Sequence, residues 1–480
     1  MMKPCKVQIF RWTTSLALAA LAVALWSVDH SRALKYLLET LNPEEKKFLV
    51  ESVFTPQKYF WIRVMATAAV VLPWLAPSPR SIVRDFPLHA IGDVWRAMPA
   101  AHRVAGAALL SVWAVRNAVY ISFFPITMDE ANVYSTFVRR GPAVIVAYYP
   151  IPSNHIFHTL SIWLADLWLN GVWAVRLTAF LAVGATGALI FFWTYRHSGL
   201  GGAVLAAGTF WFAFAPTLYG VLGRGYAFLG LFALIVLYAE YANRPRLTII
   251  ATTLGLWTAP VFLYVVLAAV VIFGRPARML AALVLAGALY FPVYWAGGNL
   301  VEFYRFDEPA RRVAHLPRYL PYVAEFLSPL RLTPSWRLIS IGAFVVWLIG
   351  VAAAAFGRRQ TPSRCAARFS LVLLSLMLVP VVQPPDKAFI VWTAPAALAV
   401  VGRLGRVGVF AACIVWVASS VAFVPVFRYW YAPDIEAYRK FQSLPPSDVY
   451  IAHSEAEYLT FSFYAPEGAK VFFLKPKDGF

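Results

Sequence analysis

Long apolar runs recur along almost the whole chain, and short polar segments that contain Lys and Arg separate them. A helix needs about 20 mostly apolar residues to cross a bilayer core about 30 Å thick. The runs predict thirteen spans, at approximately 8–27, 59–77, 104–124, 173–195, 201–221, 225–241, 246–258, 259–273, 277–295, 338–356, 368–382, 388–402 and 406–427. The expected fold class is therefore an all-α polytopic membrane protein, with a multispan domain over residues 1–427.

The basic loops predict how the spans are oriented, because Lys and Arg are enriched in short loops that stay in the cytoplasm. With the N-terminus inside, strict alternation places the basic pairs that begin at Arg196, Arg244 and Arg275 inside as well. This holds only if the stretch 155–170 does not cross. That stretch is short and carries two histidines, an aspartate and an asparagine, so we interpret it as an amphipathic helix lying in the interface.

The same alternation leaves the loop 125–172 and the tail 428–480 on the outer side. The tail contains a strand-like segment, DVYIAH, then a helix-like segment, EAEYLTFSFY, and a second strand-like segment, KVFFLK. These periodicities predict a small α/β cap outside the membrane. We expect a multi-pass protein of a bacterial inner membrane whose functional side faces the periplasm or the exterior.

The composition excludes other classes of protein. The chain of 480 residues is 60% hydrophobic and 14% charged, with a mean hydropathy of +0.65, whereas soluble proteins are about 25% charged. Its formal charge of +19 is spread between the apolar runs rather than gathered in one basic stripe, so we expect no nucleic-acid partner. Three cysteines in unrelated positions imply no disulfide framework.

Unusual polar residues collect on the predicted outer side, in the segments 126–155, 223–226, 297–337 and 383–387. Arg224 and Lys387 each stand in a short external turn, against the positive-inside bias. An anionic ligand such as phosphate would explain them, whereas the arginines of the long loop 297–337 are better explained as residues that reach toward lipid headgroups.

Other polar positions in these segments allow two explanations each. Asp129 and Glu130 are either reactive acids or the first turn of a helix, where acids favour the helix dipole. His155 and His158 are either satisfied interface residues or part of a metal site whose remaining ligands are not evident. Metal-binding residues therefore stay unknown at this point.

The order of these features resembles the GT-C glycosyltransferases, most closely their protein mannosyltransferase and aminoarabinose transferase branch. The matching elements cover roughly residues 104–273. In chain order they are Met128-Asp129-Glu130-Ala131, Tyr149-Pro150, Asn154-His155, Arg176-Leu177, Gly223-Arg224-Gly225-Tyr226, and Gly255-Leu256-Trp257-Thr258 before Pro260. Several relatives have an acid shortly after the arginine of the second external turn, where this chain has Gly225-Tyr226-Ala227. Two apolar runs before residue 104 also exceed the usual arrangement.

The resemblance implies a membrane enzyme that transfers a sugar from a polyprenyl-phosphate donor to a hydroxyl of a glycan, lipid or protein acceptor, with inversion. It requires no cofactor, although a divalent metal is left open. The catalytic acid carries over to Asp129, with Glu130 beside it. The other candidate residues are Arg224, Lys387 and His155 for the donor phosphate and Tyr149, Asn154, His158 and Tyr226 for the substrate.

A polytopic transporter or flippase for a lipid-linked or anionic substrate is the alternative, and a non-catalytic membrane scaffold is a third. Transporters tend to place ionisable groups near the bilayer midplane and often have two related halves. Here most mid-span positions are apolar and the polar residues gather on one side, which favours an enzyme. Arg116 and Arg176 are the exceptions to this pattern.

Overall fold

A computed structural model describes residues 4–41, 88–147, 154–295, 319–356, 361–378, 386–400, 406–466 and 468–474, together with Pro56, Tyr59, Phe60, Arg63 and Thr67. Most of the span predicted at 59–77 lies outside these residues, as does the part between 296 and 318 of the predicted external loop 297–337.

Helices make up nearly all of the described chain. We number them α1 Pro4–Ser27, α2 His30–Leu41, α3 Leu88–Ala97, α4 Ala100–Phe123, α5 Met128–Thr136, α6 Pro142–Ala147, α7 Ile156–Asp166, α8 Gly171–Phe212, α9 Phe214–Val221, α10 Tyr226–Tyr241, α11 Pro245–Thr258, α12 Leu263–Phe273, α13 Pro276–Trp295, α14 Arg337–Ala355, α15 Pro362–Leu378, α16 Ile390–Val400, α17 Arg406–Trp430, α18 Ala432–Ser443 and α19 Glu455–Tyr464. Short 3₁₀ helices cover Val138–Arg140, Pro260–Phe262, Pro334–Trp336 and Asp386–Phe389, and the two strands are β1 Val449–Ala452 and β2 Lys470–Phe473.

The chain is a multi-pass membrane protein. Within the described ranges, five helical segments are long and apolar enough to cross a bilayer: Ala100–Phe123, Gly171–Phe212, Pro276–Val293, Pro334–Ala355 and Ala412–Trp430. Several shorter apolar helices, such as α10 and α16, pack among them. The count of thirteen spans and the side on which each loop lies stay predictions.

Two predicted breaks between spans have clear physical causes. Helix α8 bends at Gly199, whose φ of 70° is favourable for glycine and strained for other residues. The bend follows the basic pair Arg196 and His197, where the sequence separates two spans. Helices α11 and α12 are separate because Ala259 is extended and Pro260 follows it, and proline cannot continue an α-helix from the preceding turn.

Helix α7 lies where the sequence predicts the interfacial helix. Its buried face carries His158, Thr159 and Ile162, while Leu164 and Trp168 near its end are exposed. The polar histidine therefore faces protein and large apolar side chains face outward, while the interfacial position of α7 stays a prediction.

The tail consists of α18, β1, α19 and β2, which we call the C-terminal unit. The strands β1 and β2 are parallel, with Val449 opposite Lys470, and α19 connects them. This unit also packs on α5, because Leu459 and Phe463 share a buried cluster with Ala131 of that helix. The C-terminal unit is thus in direct contact with the segment that the sequence predicts as the first external loop.

Candidate active site

The local sequence determines where helix α5 begins. Thr127 and Glu130 form a capping box: the Glu130 backbone N–H donates to Thr127 Oγ1, and the Thr127 N–H donates to Glu130 Oε2 at 2.9 Å. Asp129 is therefore in the first turn, as one of the two sequence explanations requires. Its side chain, however, is not simply solvated.

The Asp129 carboxylate lies between two cations from distant parts of the chain. Oδ2 lies 2.7 Å from Nη1 of Arg224 and 3.4 Å from Nζ of Lys387. Arg224 belongs to the turn between α9 and α10, and Lys387 to the 3₁₀ helix Asp386–Phe389. The structure thus brings together residues from three of the four predicted external segments.

The three groups differ in their access to ligands. The side chain of Arg224 is 6% exposed, whereas those of Asp129 and Lys387 are 39% and 37% exposed. One carboxylate faces two cations, so the cluster carries an excess positive charge. Lys387 is therefore more accessible than Arg224 to an anion that approaches from solvent.

These cations also control the ionisation of Asp129. Burial alone would raise the pKa of the Asp129 carboxyl, but the charges and hydrogen bonds of Arg224 and Lys387 hold this pKa below its ordinary value. Asp129 is therefore ionised at neutral pH, which a proton acceptor requires.

The turn that carries Arg224 depends on close packing at two glycines. A Cβ at Gly225 would lie 2.4 Å from Cβ of His155, and a Cβ at Gly223 would lie 2.6 Å from the carbonyl oxygen of Val175. The Gly223 N–H donates to Glu130 Oε1 at 2.5 Å. Glycine is thus required on both sides of Arg224 because the backbone of this turn passes close to its neighbours.

Glu130 is fully buried and ion-paired with Arg176, which is also fully buried. Nε and Nη2 of Arg176 donate to the two carboxylate oxygens at 2.8 and 2.7 Å, and the remaining donors reach the carbonyls of Ile121, Phe124 and Pro125. All five guanidinium N–H groups are thereby used. The predicted catalytic role of Glu130 does not fit this geometry, because its oxygens already hold Arg176, Gly223 and the start of α5.

His155 and His158 are both buried beside the cluster. His155 Nδ1 lies 3.3 Å from the Thr258 carbonyl oxygen, and the ring packs edge-on against Tyr226 with centroids 4.6 Å apart. Burial, aided by Arg224, lowers the pKa of His158 to about 3 and that of His155 well below its ordinary value. Both imidazoles are neutral at pH 7, so the predicted contact of His155 with the donor phosphate would be a hydrogen bond from an uncharged ring.

The remaining predicted substrate residues fall into three situations. Tyr226 lies beneath Arg224, whose guanidinium carbon is 5.8 Å from the ring centroid. The Asn154 amide donates to the Ile145 carbonyl at 3.0 Å and so anchors the loop to α6. Tyr149 lies outside the described residues. Among the described residues, no three His, Cys, Asp or Glu side chains are grouped closely enough to hold a metal ion.

Comparisons with known proteins match this chain at the level of fold. A crystal structure of ArnT from Cupriavidus metallidurans in the apo state superimposes with a TM-score of 0.52 and 14% identity, over 79% of this chain and 87% of ArnT. The chain has the ArnT fold. ArnT from the same organism bound to undecaprenyl phosphate gives a TM-score of 0.51 with the same identity and coverage. Arabinosyltransferase EmbB from Mycobacterium smegmatis gives a TM-score of 0.40 at 12% identity, over 85% of this chain and 46% of EmbB.

The likeness to ArnT confirms, at the level of fold, the resemblance that the sequence predicts. No protein-family model matches the chain, and no curated protein matches it. At 14% identity, the likeness to ArnT establishes the fold.

Two residues near the site in this ArnT-like chain were not predicted from sequence. Tyr431 follows the last span; burial raises the pKa of its hydroxyl, and the charges of Arg224 and Asp129 act on it. Asp434 of α18 accepts the Met128 backbone N–H. The sequence signal was the aromatic and acidic run FRYWYAPD at residues 427–434, which is equally typical of an aromatic belt at a membrane boundary.

Proposed function

We propose that this protein is a membrane glycosyltransferase that transfers a sugar from a polyprenyl-phosphate donor to an acceptor hydroxyl on the extracytoplasmic face. The observation that carries the proposal is the position of Asp129 between Arg224 and Lys387 in a chain with the ArnT fold. The complex of ArnT with undecaprenyl phosphate supports a lipid phosphate as the ligand.

In the proposed reaction, the oxygen of the acceptor hydroxyl attacks the anomeric carbon of the donor sugar, and Asp129 accepts the proton of that hydroxyl. The bond between that carbon and the phosphate oxygen breaks, and the electron pair leaves with the lipid phosphate. The transition state has oxocarbenium character, as in glycoside hydrolysis. A single displacement of this kind inverts the anomeric centre.

The two cations match the leaving group of this reaction. A departing lipid phosphate gains negative charge, and preorganised cations stabilise such charge strongly in a site with little water. The buried guanidinium of Arg224 presents a fork of donors that suits phosphate oxygens, while Lys387 supplies a mobile point charge. The cluster has one positive charge in excess, so one anionic ligand would balance it.

Donor binding also prepares the base. In the free protein both cations interact with Asp129 and hold its pKa low. A phosphate that draws Arg224 and Lys387 toward itself weakens these interactions, so the pKa of the carboxyl rises and its basicity increases. Base strength is then greatest when the donor is in place.

The structure also weakens the case for a transporter. Arg176 and Arg116, the two exceptions within the spans, make structural contacts. Arg176 is paired with Glu130, and Arg116 donates to Ser420 Oγ at 2.8 Å and to the Trp211 carbonyl at 2.9 Å. These contacts tie helices together and account for both arginines without a transport pathway.

Reconstituted protein and a panel of polyprenyl-phosphate sugars test the proposal. Release of free polyprenyl phosphate, dependent on an added hydroxyl acceptor, is the expected result. Movement of the intact donor between leaflets without cleavage would support a flippase instead. Absence of both cleavage and transport across the panel would contradict the glycosyltransferase assignment and favour a non-catalytic scaffold.

A further inference from the structure

The C-terminal unit packs against α5, the helix that carries Asp129. Leu459 and Phe463 of α19 pack in the same buried cluster as Ala131 and Val133 of α5. The Phe463 ring also packs edge-on against Tyr134, with centroids 5.2 Å apart. Helix α5 is short, so a large share of its packing comes from a unit more than 300 positions later in the chain.

The polar groups at the start of α5 show the same dependence. A helix leaves its first N–H groups without partners inside the helix. The capping box satisfies those of Thr127 and Glu130, while the Met128 N–H donates to the Asp434 carboxylate and the Ile126 N–H donates to Tyr464 Oη at 2.9 Å. The C-terminal unit thus holds the backbone immediately before Asp129.

Asp434 is unusual for a residue of a small external unit. It is 8% exposed, although a carboxylate loses hydration when buried. Its carboxylate also lies in the field of Glu130 and Asp129, which opposes its charge. The hydrogen bond to the N-terminal end of α5, where the helix dipole favours an anion, offsets part of this cost.

We propose that Asp434 is a positioning residue for the reaction, and that through it the C-terminal unit holds Asp129 against Arg224 and Lys387. The inference rests on the proposed function and adds the α17–α18 junction to the active site. Asp434 itself touches the backbone of α5 and not the reacting atoms. Its effect is therefore on the orientation of the Asp129 carboxylate.

The test compares three variants at α18. Asp434→Ala removes the acceptor of the Met128 N–H, Asp434→Asn retains an acceptor oxygen in nearly the same position, and Glu436→Gln changes an exposed acid two residues away. Turnover with a polyprenyl-phosphate sugar is measured first for the unmodified protein. Failure there counts against the proposed function and not against the role of Asp434.

If the unmodified protein is active, Asp434→Ala should lower kcat at least tenfold with little change in donor KM. Asp434→Asn should retain most of the kcat of the unmodified protein. Glu436→Gln should behave like the unmodified protein. Hydrogen exchange gives a readout independent of turnover: amides of residues 128–131 should exchange faster in Asp434→Ala than in Glu436→Gln. Unchanged kcat and exchange in folded Asp434→Ala would overturn the inference, as would equal losses of kcat in both Asp434 variants.

Discussion

Asp129, Arg224 and Lys387 form a cluster in which each charge depends on the others. The carboxylate is ionised because two cations face it, and Arg224 remains a buried cation because Asp129 lies 2.7 Å away. Replacing any one of the three groups therefore changes both the binding of an anion and the basicity of the carboxylate.

Arg224→Gln tests the buried cation. A hydrogen bond to a charged group contributes about 1.5–3 kcal/mol, so loss of Arg224 should lower kcat/KM for the donor by about 10- to 100-fold. Lys387→Gln should cost less, because Lys387 is 37% exposed and water screens its charge. Arg428→Gln is the matched control, since Arg428 is an exposed cation at the end of α17. Equal activities of the Arg224 and Arg428 variants would contradict the assignment.

The ionisation of Asp434 makes a prediction about stability and pH. Burial, with the charges of Glu130 and Asp129, raises the pKa of Asp434 to about 6, although the Met128 N–H lowers it in part. The folded state therefore binds a proton more readily than the unfolded state, and stability falls as pH rises from about 4 to about 6. Asp434→Asn removes this contribution.

Thermal unfolding of the detergent-solubilised protein measures the effect. The unmodified protein should lose stability relative to Asp434→Asn by about 1–3 kcal/mol between pH 4 and pH 7. Glu130 and Asp129 have lowered pKa values, so their contributions are lost at lower pH, below about 4, and do not obscure this window. A stability difference that does not change with pH would show that the pKa of Asp434 is not raised in the folded protein.

The sequence predicts residues more successfully than their roles. Arg224 and Lys387 were candidates because they oppose the positive-inside bias, and Asp129 was a candidate because the family resemblance carries the catalytic acid over to it. Glu130 was grouped with its neighbour, but adjacent residues on a helix point in different directions, about 100° apart, and Glu130 points to Arg176. Asp434 gave no such signal, because its partner is a backbone N–H more than 300 positions away.

At the scale of elements, the turn between α9 and α10 controls the site. It carries Arg224, contacts the His155 side chain at Gly225, and donates the Gly223 backbone N–H to Glu130. The closeness of these contacts explains why the sequence has glycine on both sides of the arginine. This turn is therefore positioned by close packing against its neighbours.

Gly225→Ala tests this packing. The added methyl group would lie 2.4 Å from His155 Cβ, so either the turn or the start of α7 must move. Transfer activity should fall at least tenfold, while the protein remains folded, because a displacement of about 1 Å in a catalytic group costs about 100-fold. Gly230→Ala in α10 is the control, since its Cβ meets nothing within 4 Å. Full activity of Gly225→Ala would show that the turn tolerates movement.

The breaks at Gly199 and Pro260 were predictable because each has a local cause, whereas the break at Ala213, inside the span predicted at 201–221, was not. Gly199 and Pro260 interrupt apolar runs that hydropathy alone would leave continuous. The arrangement of the C-terminal unit on α5 was not predictable in this way. It depends on side chains such as Phe463 and Tyr464, which match partners far away in sequence.

At the scale of the whole molecule, the account requires the first external loop and the C-terminal unit to lie on the same side of the membrane. Their direct contact requires this, and the basic loops predict that this side is external. Arg196 and its neighbours should then lie on the opposite side.

Cysteine labelling tests this topology. In a variant lacking Cys5, Cys365 and Cys413, single cysteines at the exposed positions Ser443 and Ser198 are treated with a membrane-impermeant maleimide in intact cells. Ser443→Cys should be labelled, and Ser198→Cys should be labelled only after the membrane is opened. Labelling of both positions from one side would overturn the predicted arrangement of spans.

The most direct measurement of the central claim is the release of polyprenyl phosphate by Asp129→Asn, with Asp93→Asn as an exposed acid control. Asparagine preserves the shape of the side chain but cannot accept a proton as a base, and general base catalysis typically contributes 10²- to 10⁴-fold. The account predicts a loss of at least about 100-fold in a folded protein, with the control fully active. Full activity of Asp129→Asn would contradict it.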